Sequence, residues 1–446
     1  MEIGSTYKLK IEGYDMKGYG VAHYEKKVIF VDGALDGETV IARITAPHKK
    51  YAFAVVDRVL EASENREEAK CPYYGVCGGC DLMHMNYKSE CLVKENKVKQ
   101  ALRGINAYSM NPIISSDNIE EYRNKVMVPF MYDSEDYDVL YGFYSKGSHD
   151  ICSMDKCLIS DDLTNKIIYF INRYLNIFHI SIYDEKTHSG LFKEVMVRHT
   201  ALGEYMVVLV TTRDYDFSEL VKYLNEEFKE IKSIYLNINS EKTNVVLSYE
   251  YKLLYGKETI TEDILGLKFN VSPSSFMQVN HDQCEKLYKE AYRMANLNKN
   301  MNVIDAYCGM GSITLNIAKE VNHVYGIEIV PAAIDNANSN KVLNNIDNAT
   351  FICGKCEEEI KKLVNLKNID VIFFDPPRKG CDIEFLNTVV EMNIPSIVYI
   401  SCNIATAARD VKILEENGYK LKEVTPVDLF PRTAHVETVL RLDKIK

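Results

Sequence analysis

At 446 residues the chain is too long for one ordinary hydrophobic core, and its length suggests about three domains. It is 46% hydrophobic and 26% charged, no apolar run is long enough to span a bilayer, and Met1-Glu2-Ile3-Gly4 does not read as a secretory leader. Twelve cysteines then point to a reducing, cytoplasmic setting, where clustered thiols bind metal or catalyse; the net charge of −11 argues mildly against nucleic-acid capture, although a local basic stripe would suffice.

From Thr6 to about Arg58, short alternating or buried runs predict strands. Lys8-Leu9-Lys10-Ile11, Val28-Ile29-Phe30-Val31 and Val40-Ile41-Ala42-Arg43-Ile44 are separated by turns at Gly18, Gly20, Gly33 and Gly37. Five or so strands in so short a stretch suggest a small OB-like barrel. Lys49, Lys50, Tyr51 and Phe53 interleave charge with aromatic rings, which suits single-stranded RNA as well as an ordinary solvated rim. Glu61 to Lys70 is a charged connector without hydrophobic period. Cys71-x5-Cys77-x2-Cys80, with Gly75, Gly78 and Gly79 letting the backbone fold back, follows as a metal-ligand knuckle. Cys91, Cys152 and Cys157 are the nearest candidates for a fourth thiolate. Cys91 falls in an amphipathic helix pattern, Tyr87–Arg103, and reads as core. Spacing alone does not separate zinc from a [4Fe–4S] cluster.

Residues 120–260 read as mixed α/β, with strands at Val126–Phe130, Glu194–His199, Tyr205–Thr212, Ile234–Ile238 and Val245–Tyr249 and a helix at Leu158–Phe178. Tyr122-Arg123-Asn124-Lys125 and Gly142-Phe143-Tyr144-Ser145-Lys146 combine aromatic and basic residues, as RNA contacts or sheet edges do. The strand Leu267–Val271 runs into a polar loop, and a helix starts near His281.

The last stretch alternates strand and helix, a doubly wound pattern. Asn302-Val303-Ile304-Asp305 leads through Ala306-Tyr307-Cys308-Gly309-Met310-Gly311 into the helix Ser312–Lys319; the glycines let the backbone approach a ligand. The next strand ends in Glu328, an acid suited to a ribose diol. Opened by Asp305, this turn fits an S-adenosylmethionine site better than a dinucleotide fingerprint. Val371–Phe374 ends in Asp375-Pro376-Pro377-Arg378-Lys379-Gly380. Ile397–Ile400 stops at Ser401-Cys402-Asn403 before another helix, whose N-terminus should bias the Cys402 thiol toward thiolate. Ala434–Leu440 reads as a final strand with Glu437 among apolar neighbours.

Together these motifs resemble the RNA uracil-C5 methyltransferases, in particular the bacterial branch that acts on 23S ribosomal RNA and carries an iron–sulfur cluster. Ser272-Pro273-x-Ser275-Phe276-x-Gln278-Val279-Asn280, Asp305-x-Tyr307-Cys308-Gly309-x-Gly311, Asp375-Pro376-Pro377-Arg378 and Ser401-Cys402-Asn403 match as they stand. The resemblance implies three parts: a TRAM-like RNA-binding barrel over 1–58, a central α/β domain carrying the iron–sulfur knuckle over 59–280, and a Rossmann-like methyltransferase domain over 281–446. It implies Cys402 as nucleophile and Glu437 as base, with Gln278, Tyr307, Glu328 and Asp375 holding S-adenosylmethionine. It implies Cys71, Cys77, Cys80 and Cys157 as ligands of a structural [4Fe–4S] cluster, with Cys152 a bystander. The expected partner is a ribosomal RNA loop, with no membrane and no obligate protein partner. One departure is visible. Gly354-Lys355-Cys356-Glu357 puts Lys355 where the family usually has the acid near the adenine. Transfer RNA is the alternative substrate, and an RNA-binding redox sensor the alternative class.

Overall fold

The computed structural model describes residues 1–445 apart from 107, 134–137, 244 and 367. At the N-terminus, β1 (Thr6–Lys10), β2 (Gly20–Tyr24), β3 (Lys27–Asp32), β4 (Thr39–Pro47) and β5 (Tyr51–Glu61) form one sheet in the order β1-β4-β5-β3-β2. The β3–β5 pair is parallel and the other pairs antiparallel. Strict alternation sends Leu9, Ile29, Val31, Val40, Ala42, Ile44, Ala52 and Ala54 to one core. The expected five-stranded module is present.

Helix α1 (Tyr87–Ala101) is capped by Asn86, whose side chain accepts from the Ser89 N–H, and it ends before Gly104 at φ +85°. Cys91 is buried in it, as expected. The short strand β6 (Ser109–Met110) follows. Next come β7 (Lys125–Tyr132), β8 (Val139–Tyr144), β9 (Ile151–Ser153), α2 (Asp162–Ile177), β10 (Phe192–His199), β11 (Tyr205–Thr211), α3 (Ser218–Glu227), β12 (Ile231–Ile238) and β13 (Tyr251–Gly256). Their strands make a seven-stranded sheet, β13-β12-β11-β10-β7-β8-β9.

Two expectations fail here for local reasons. Residues 245–249 are not a strand. The side-chain amides of Asn237 and Asn239 donate to the carbonyls of Ser248, Glu250, Val245 and Val246, taking acceptors that a ladder would need. The strand forms later, as β13. Helix α2 starts at Asp162 rather than Leu158. Asp161 caps it by accepting from the Thr164 N–H, and Asn165 holds the Cys157 and Ser160 carbonyls in a preceding turn.

A hairpin of β14 (Ile260–Ile264) and β15 (Leu267–Val271) leads to α4 (His281–Ala295). The rest alternates: β16 (Asn302–Ala306), α5 (Ser312–Ala318), β17 (His323–Glu328), α6 (Pro331–Leu343), β18 (Ala349–Cys353), α7 (Cys356–Leu366), β19 (Val371–Phe374), α8 (Ile383–Glu391), β20 (Ser396–Ser401), α9 (Ile404–Glu416), β21 (Tyr419–Val427) and β22 (Glu437–Lys444). The sheet order is β18-β17-β16-β19-β20-β22-β21-β6. The run from β18 to β20 is parallel; β22 is antiparallel to both β20 and β21. Strands β19 and β20 are buried throughout because helices cover both faces, and the two cores on either side share their apolar residues. The order reverses between β16 and β19, so a crevice opens beyond their C-terminal ends. Strand β6 and helix α1 are built into this layer from much earlier in the chain: Ser109 pairs with Glu423, and Val98 and Leu102 enter its core.

Among the described residues, no helix is long and apolar enough to cross a membrane.

Candidate active site

Four loops meet at the C-terminal edge of the parallel strands. After β16, Asp305 is buried at 1% exposure and its Oδ2 accepts from the Thr314 hydroxyl at 2.5 Å. Burial first, then the charge of Asp375, pushes its carboxyl up to about 7. The turn itself is left-handed at Tyr307 (φ +64°), Gly309 (+53°) and Gly311 (+85°). A Cβ at Gly311 would come within 2.7 Å of the Phe351 ring, so only glycine lets α5 start this close to its neighbours. Glu328, at the end of β17, accepts from the N–H groups of Gly309 (3.2 Å) and Val330 (2.9 Å), which fixes its carboxylate beside the glycine turn.

Asp375 follows β19. Part of the residue still meets solvent, but protein crowds its carboxyl on all sides, and burial pushes it up to about 7. The following loop is tied to the Cys402 turn: the Arg378 carbonyl accepts from Asn403 Nδ2 (3.0 Å) and from the Thr406 hydroxyl (3.4 Å). Asn403 also caps α9 by accepting from the Ala405 N–H.

Cys402 and Glu437 stand level on adjacent strands. The β20–β22 ladder runs to Ser401 opposite Thr438, and the Thr438 hydroxyl donates to the Ser401 carbonyl at 3.2 Å. One step further along each chain are Cys402 and Glu437. Glu437 is 2% exposed and is the first residue of its strand; Ala434–Val436, expected in that strand, remain in a loop. Burial pushes the Glu437 carboxyl up to about 8, with Asp375 adding to the rise and Arg378 opposing it.

The thiolate expectation is corrected. Cys402 is pushed up to about 11, by burial first and then by the charges of Glu437 and Asp375; Arg378 only partly offsets them. A helix N-terminus is worth a fraction of an elementary charge, whereas two carboxyl groups and desolvation act together against the anion. The resting residue is a thiol.

Gln278 lies in the segment between β15 and α4 and is 8% exposed. Sequence reasoning missed what holds this segment. Arg198, fully buried on β10, donates to the carbonyls of Ser272 (3.0 Å) and Ser275 (2.7 Å), and Asn124 donates to the Gln278 carbonyl (3.1 Å). Arg198 falls inside the strand expected at Glu194–His199, and a cation within that mostly apolar run was the available signal.

The four expected metal ligands face one cavity of about 720 Å³, lined by Cys71, Cys77, Cys80 and Cys157 and reaching Arg378 and His435 beside the Cys402 and Glu437 loops. All four are free thiols. Burial raises Cys71, Cys77 and Cys80, and their closeness to Cys157 adds to each rise. Cys152 is buried beside them on β9. Among the described residues, no three His, Cys, Asp or Glu side chains are arranged to hold a single metal ion. The Cys353/Cys356 pair is no exception, with Cys353 exposed and Cys356 buried.

The mild charge argument against RNA also changes. The cavity wall carries Arg123, Lys125, Lys156, Arg198 and Arg378 and no carboxylate, with Phe143, Tyr144, Phe276 and Phe430 between them. Burial, and then Arg198 and Arg123, hold Lys125 down at about 7. The acidic excess of the chain lies elsewhere. Of the other predicted contacts, Tyr122 is buried with its hydroxyl on the Pro431 carbonyl, and Lys146 pairs with Asp32 at 2.9 Å. Lys355 is exposed, 3.5 Å from Glu358.

A family model described as tRNA (Uracil-5-)-methyltransferase matches residues 86–445, and one described as the TRAM domain matches residues 1–56. A Clostridium tetani protein named "Uncharacterized RNA methyltransferase" is 42% identical over 445 residues, covering 98% of this chain and 96% of its own. A Bacillus cereus protein of the same name is 40% identical over 436 residues, 96% of this chain and 94% of its own. Among solved structures, the Pyrococcus abyssi tRNA (uracil-54, C5)-methyltransferase in complex with S-adenosyl-L-homocysteine superposes with a TM-score of 0.77 at 26% identity, over 98% of this chain and 99% of that one.

Proposed function

The chain belongs to the tRNA (uracil-5-)-methyltransferase family, and from that premise we propose that it is a cytoplasmic enzyme methylating C5 of a uridine in 23S ribosomal RNA. The observation that carries the chemistry is the level placement of Cys402 and Glu437 on adjacent strand ends, beside Asp375. Uracil C5 is a poor nucleophile because its ring is conjugated and electron-poor. The Cys402 thiol first gives up its proton to solvent; the sulfur anion then adds to C6, and the C5–C6 π electrons shift so that C5 becomes the nucleophilic end of an enolate. S-adenosylmethionine supplies an electrophilic methyl group on a sulfonium when bound. Glu437, once ionised, takes the C5 proton; the C–H electron pair restores the C5–C6 double bond and the thiolate leaves. The chain thus splits one hard step into easier ones.

Gln278, Tyr307, Glu328 and Asp375 would hold the cofactor. The fit rests on the left-handed glycine turn, the carboxylate of Glu328 fixed beside it, and Asp375 across the switch point. Lys355 is turned to Glu358 on the surface, so an adenine contact from that position is left to other groups. The target base must leave its stack to reach Cys402, and the cation-lined cavity supports a bound RNA strand beside it. Residues 1–58 would act as the RNA-gripping barrel, 59–280 as the central RNA-contacting domain and 281–446 as the methyltransferase domain.

We assign Cys71, Cys77, Cys80 and Cys157 to a structural [4Fe–4S] cluster. What supports the reading is that four free thiols line one cavity. Iron content and visible absorption of protein purified without oxygen test this, and stoichiometric zinc instead overturns it.

A second reading, a transfer-RNA substrate, is favoured by the full-length likeness to the archaeal tRNA enzyme. Mapping 5-methyluridine in ribosomal and transfer RNA from cells with and without the gene separates the two. The chemistry is tested with 5-fluorouridine RNA and S-adenosylmethionine. Fluorine at C5 blocks proton loss, so a covalent adduct that survives denaturation and vanishes in Cys402→Ala is expected. Absence of an adduct on any RNA overturns the reading.

A further inference from the structure

The loop that delivers Glu437 to the site is held by the segment that leaves the cysteine knuckle. The backbone N–H groups of Asp81 and Leu82 both donate to the Arg432 carbonyl, at 2.8 and 3.0 Å. In return the Ala434 N–H donates to Asp81 Oδ2 at 3.1 Å. Lys97 donates to the Ala434 carbonyl at 2.6 Å, and Glu90 accepts from the Arg432 N–H at 2.7 Å. Tyr74, inside the knuckle, donates to the Asp81 carbonyl at 2.5 Å. Arg432 sits at φ +71°, a conformation that a non-glycine residue keeps only where its surroundings enforce it. Strand pairing begins only at Glu437, opposite Val427. Tyr122 and Asn280 hold the start of the loop at the Pro431 and Leu429 carbonyls; from Arg432 to Ala434 its hydrogen bonds to other segments run to residues 81–97 and not to the sheet.

We propose that Asp81, the residue after Cys80, is a positioning residue for Glu437. Its carboxylate and backbone N–H clamp residues 432–434, and so fix where the following strand presents the base. The proposal rests on the reading above, because it concerns one step of that chemistry. After methyl transfer the C5 proton passes to the Glu437 carboxylate, the C5–H electrons form the C5–C6 double bond, and the C6–S bond breaks to release the Cys402 thiolate. A displaced Glu437 slows only this step. Sulfur addition and methyl transfer precede it, so the enzyme should accumulate joined to methylated RNA.

The test uses the full-length protein with ordinary uridine RNA and S-adenosylmethionine. Glu437→Gln defines the fully stalled adduct. Asp81→Ala should transfer one methyl per enzyme at the wild-type rate, turn over roughly 10- to 100-fold more slowly, and accumulate the same denaturation-resistant adduct, with KM for RNA unchanged. Asp81→Asn keeps an acceptor for the Ala434 N–H while losing the charge that lies 3.8 Å from Lys146, and should restore turnover. A merely structural role would lower stability and all steps together, without trapping an adduct. Should Asp81→Ala fail to fold, Asp81→Ser, whose shorter side chain falls short of Ala434, takes its place. Wild-type release rates in both, or a slower first methyl transfer without trapped adduct, overturn the proposal. An adduct on 5-fluorouridine RNA in the wild-type enzyme, with no trapping in the Asp81 variants, refutes this inference alone. Absence of the fluorouridine adduct refutes the reading beneath it.

Discussion

Replacing Glu437, the proposed base, by Gln should make the protein more stable. The substitution keeps the side chain's shape and removes the group that ionises. In the folded protein burial holds this carboxyl at about 8, against an ordinary value of 4.5. In the unfolded chain it ionises freely. The folded state therefore binds more protons, and stability must fall as the pH rises from about 4.5 to about 8, then level off. With each factor of ten worth about 1.4 kcal/mol, the carboxyl costs the fold about 3 kcal/mol at pH 7 and about 5 above pH 8. These are upper bounds, because the amide must also be accommodated. Urea unfolding of wild type and Glu437→Gln at about pH 5, 7 and 8.5 measures the difference. The gap should be under about 1 kcal/mol at pH 5 and open toward 8.5; at pH 7 it corresponds to roughly 3 °C in Tm for the whole chain unfolding together. A gap of constant size would mean that packing, not ionisation, is responsible. A variant less stable at pH 8.5 would refute the argument outright.

Two further outcomes follow from buried cations. Lys94 is fully buried between Glu90 (2.7 Å) and Asp428 (2.6 Å); burial alone would discharge it, but the two carboxylates outweigh that and keep it charged. Lys94→Met should cost about 3–5 kcal/mol in the same unfolding assay, because it leaves Asp428 and Glu90 facing each other with only Arg432, 3.5 Å from Glu90, as a nearby cation. Arg198→Lys trades a planar fork for a single point charge and cannot hold both the Ser272 and Ser275 carbonyls. KM for S-adenosylmethionine should rise about tenfold, the loss of one good hydrogen bond, with kcat at saturating cofactor little changed; an unaltered KM would show that the Gln278 segment holds itself.

Much of the molecule was legible in the chain because its signals are local. Period-two alternation gave the N-terminal strands; apolar runs β19 and β20 followed by Asp375 and Cys402 marked the sheet edge; Gly309 and Gly311 marked the turn, since only backbone freedom explains them there. Of the cysteine reading, the structure shows that the four thiols line one cavity. The errors are also local. The strand expected at 245–249 lost to the side chains of Asn237 and Asn239, and the start of α2 lost to the cap at Asp161.

What the chain could not disclose is whatever depends on distant residues sharing one low-dielectric space. Residue types named Cys402, Asp375 and Glu437, but their protonation was settled by three acids and a thiol converging on one buried edge. Composition said acidic, yet folding gathered five basic side chains and no carboxylate on one cavity wall. The hold of residues 81–97 on the loop before Glu437 joins segments more than three hundred residues apart. Local preference fixes where strands and turns fall; desolvation and charge depend on which groups meet, and only the tertiary structure brings them together.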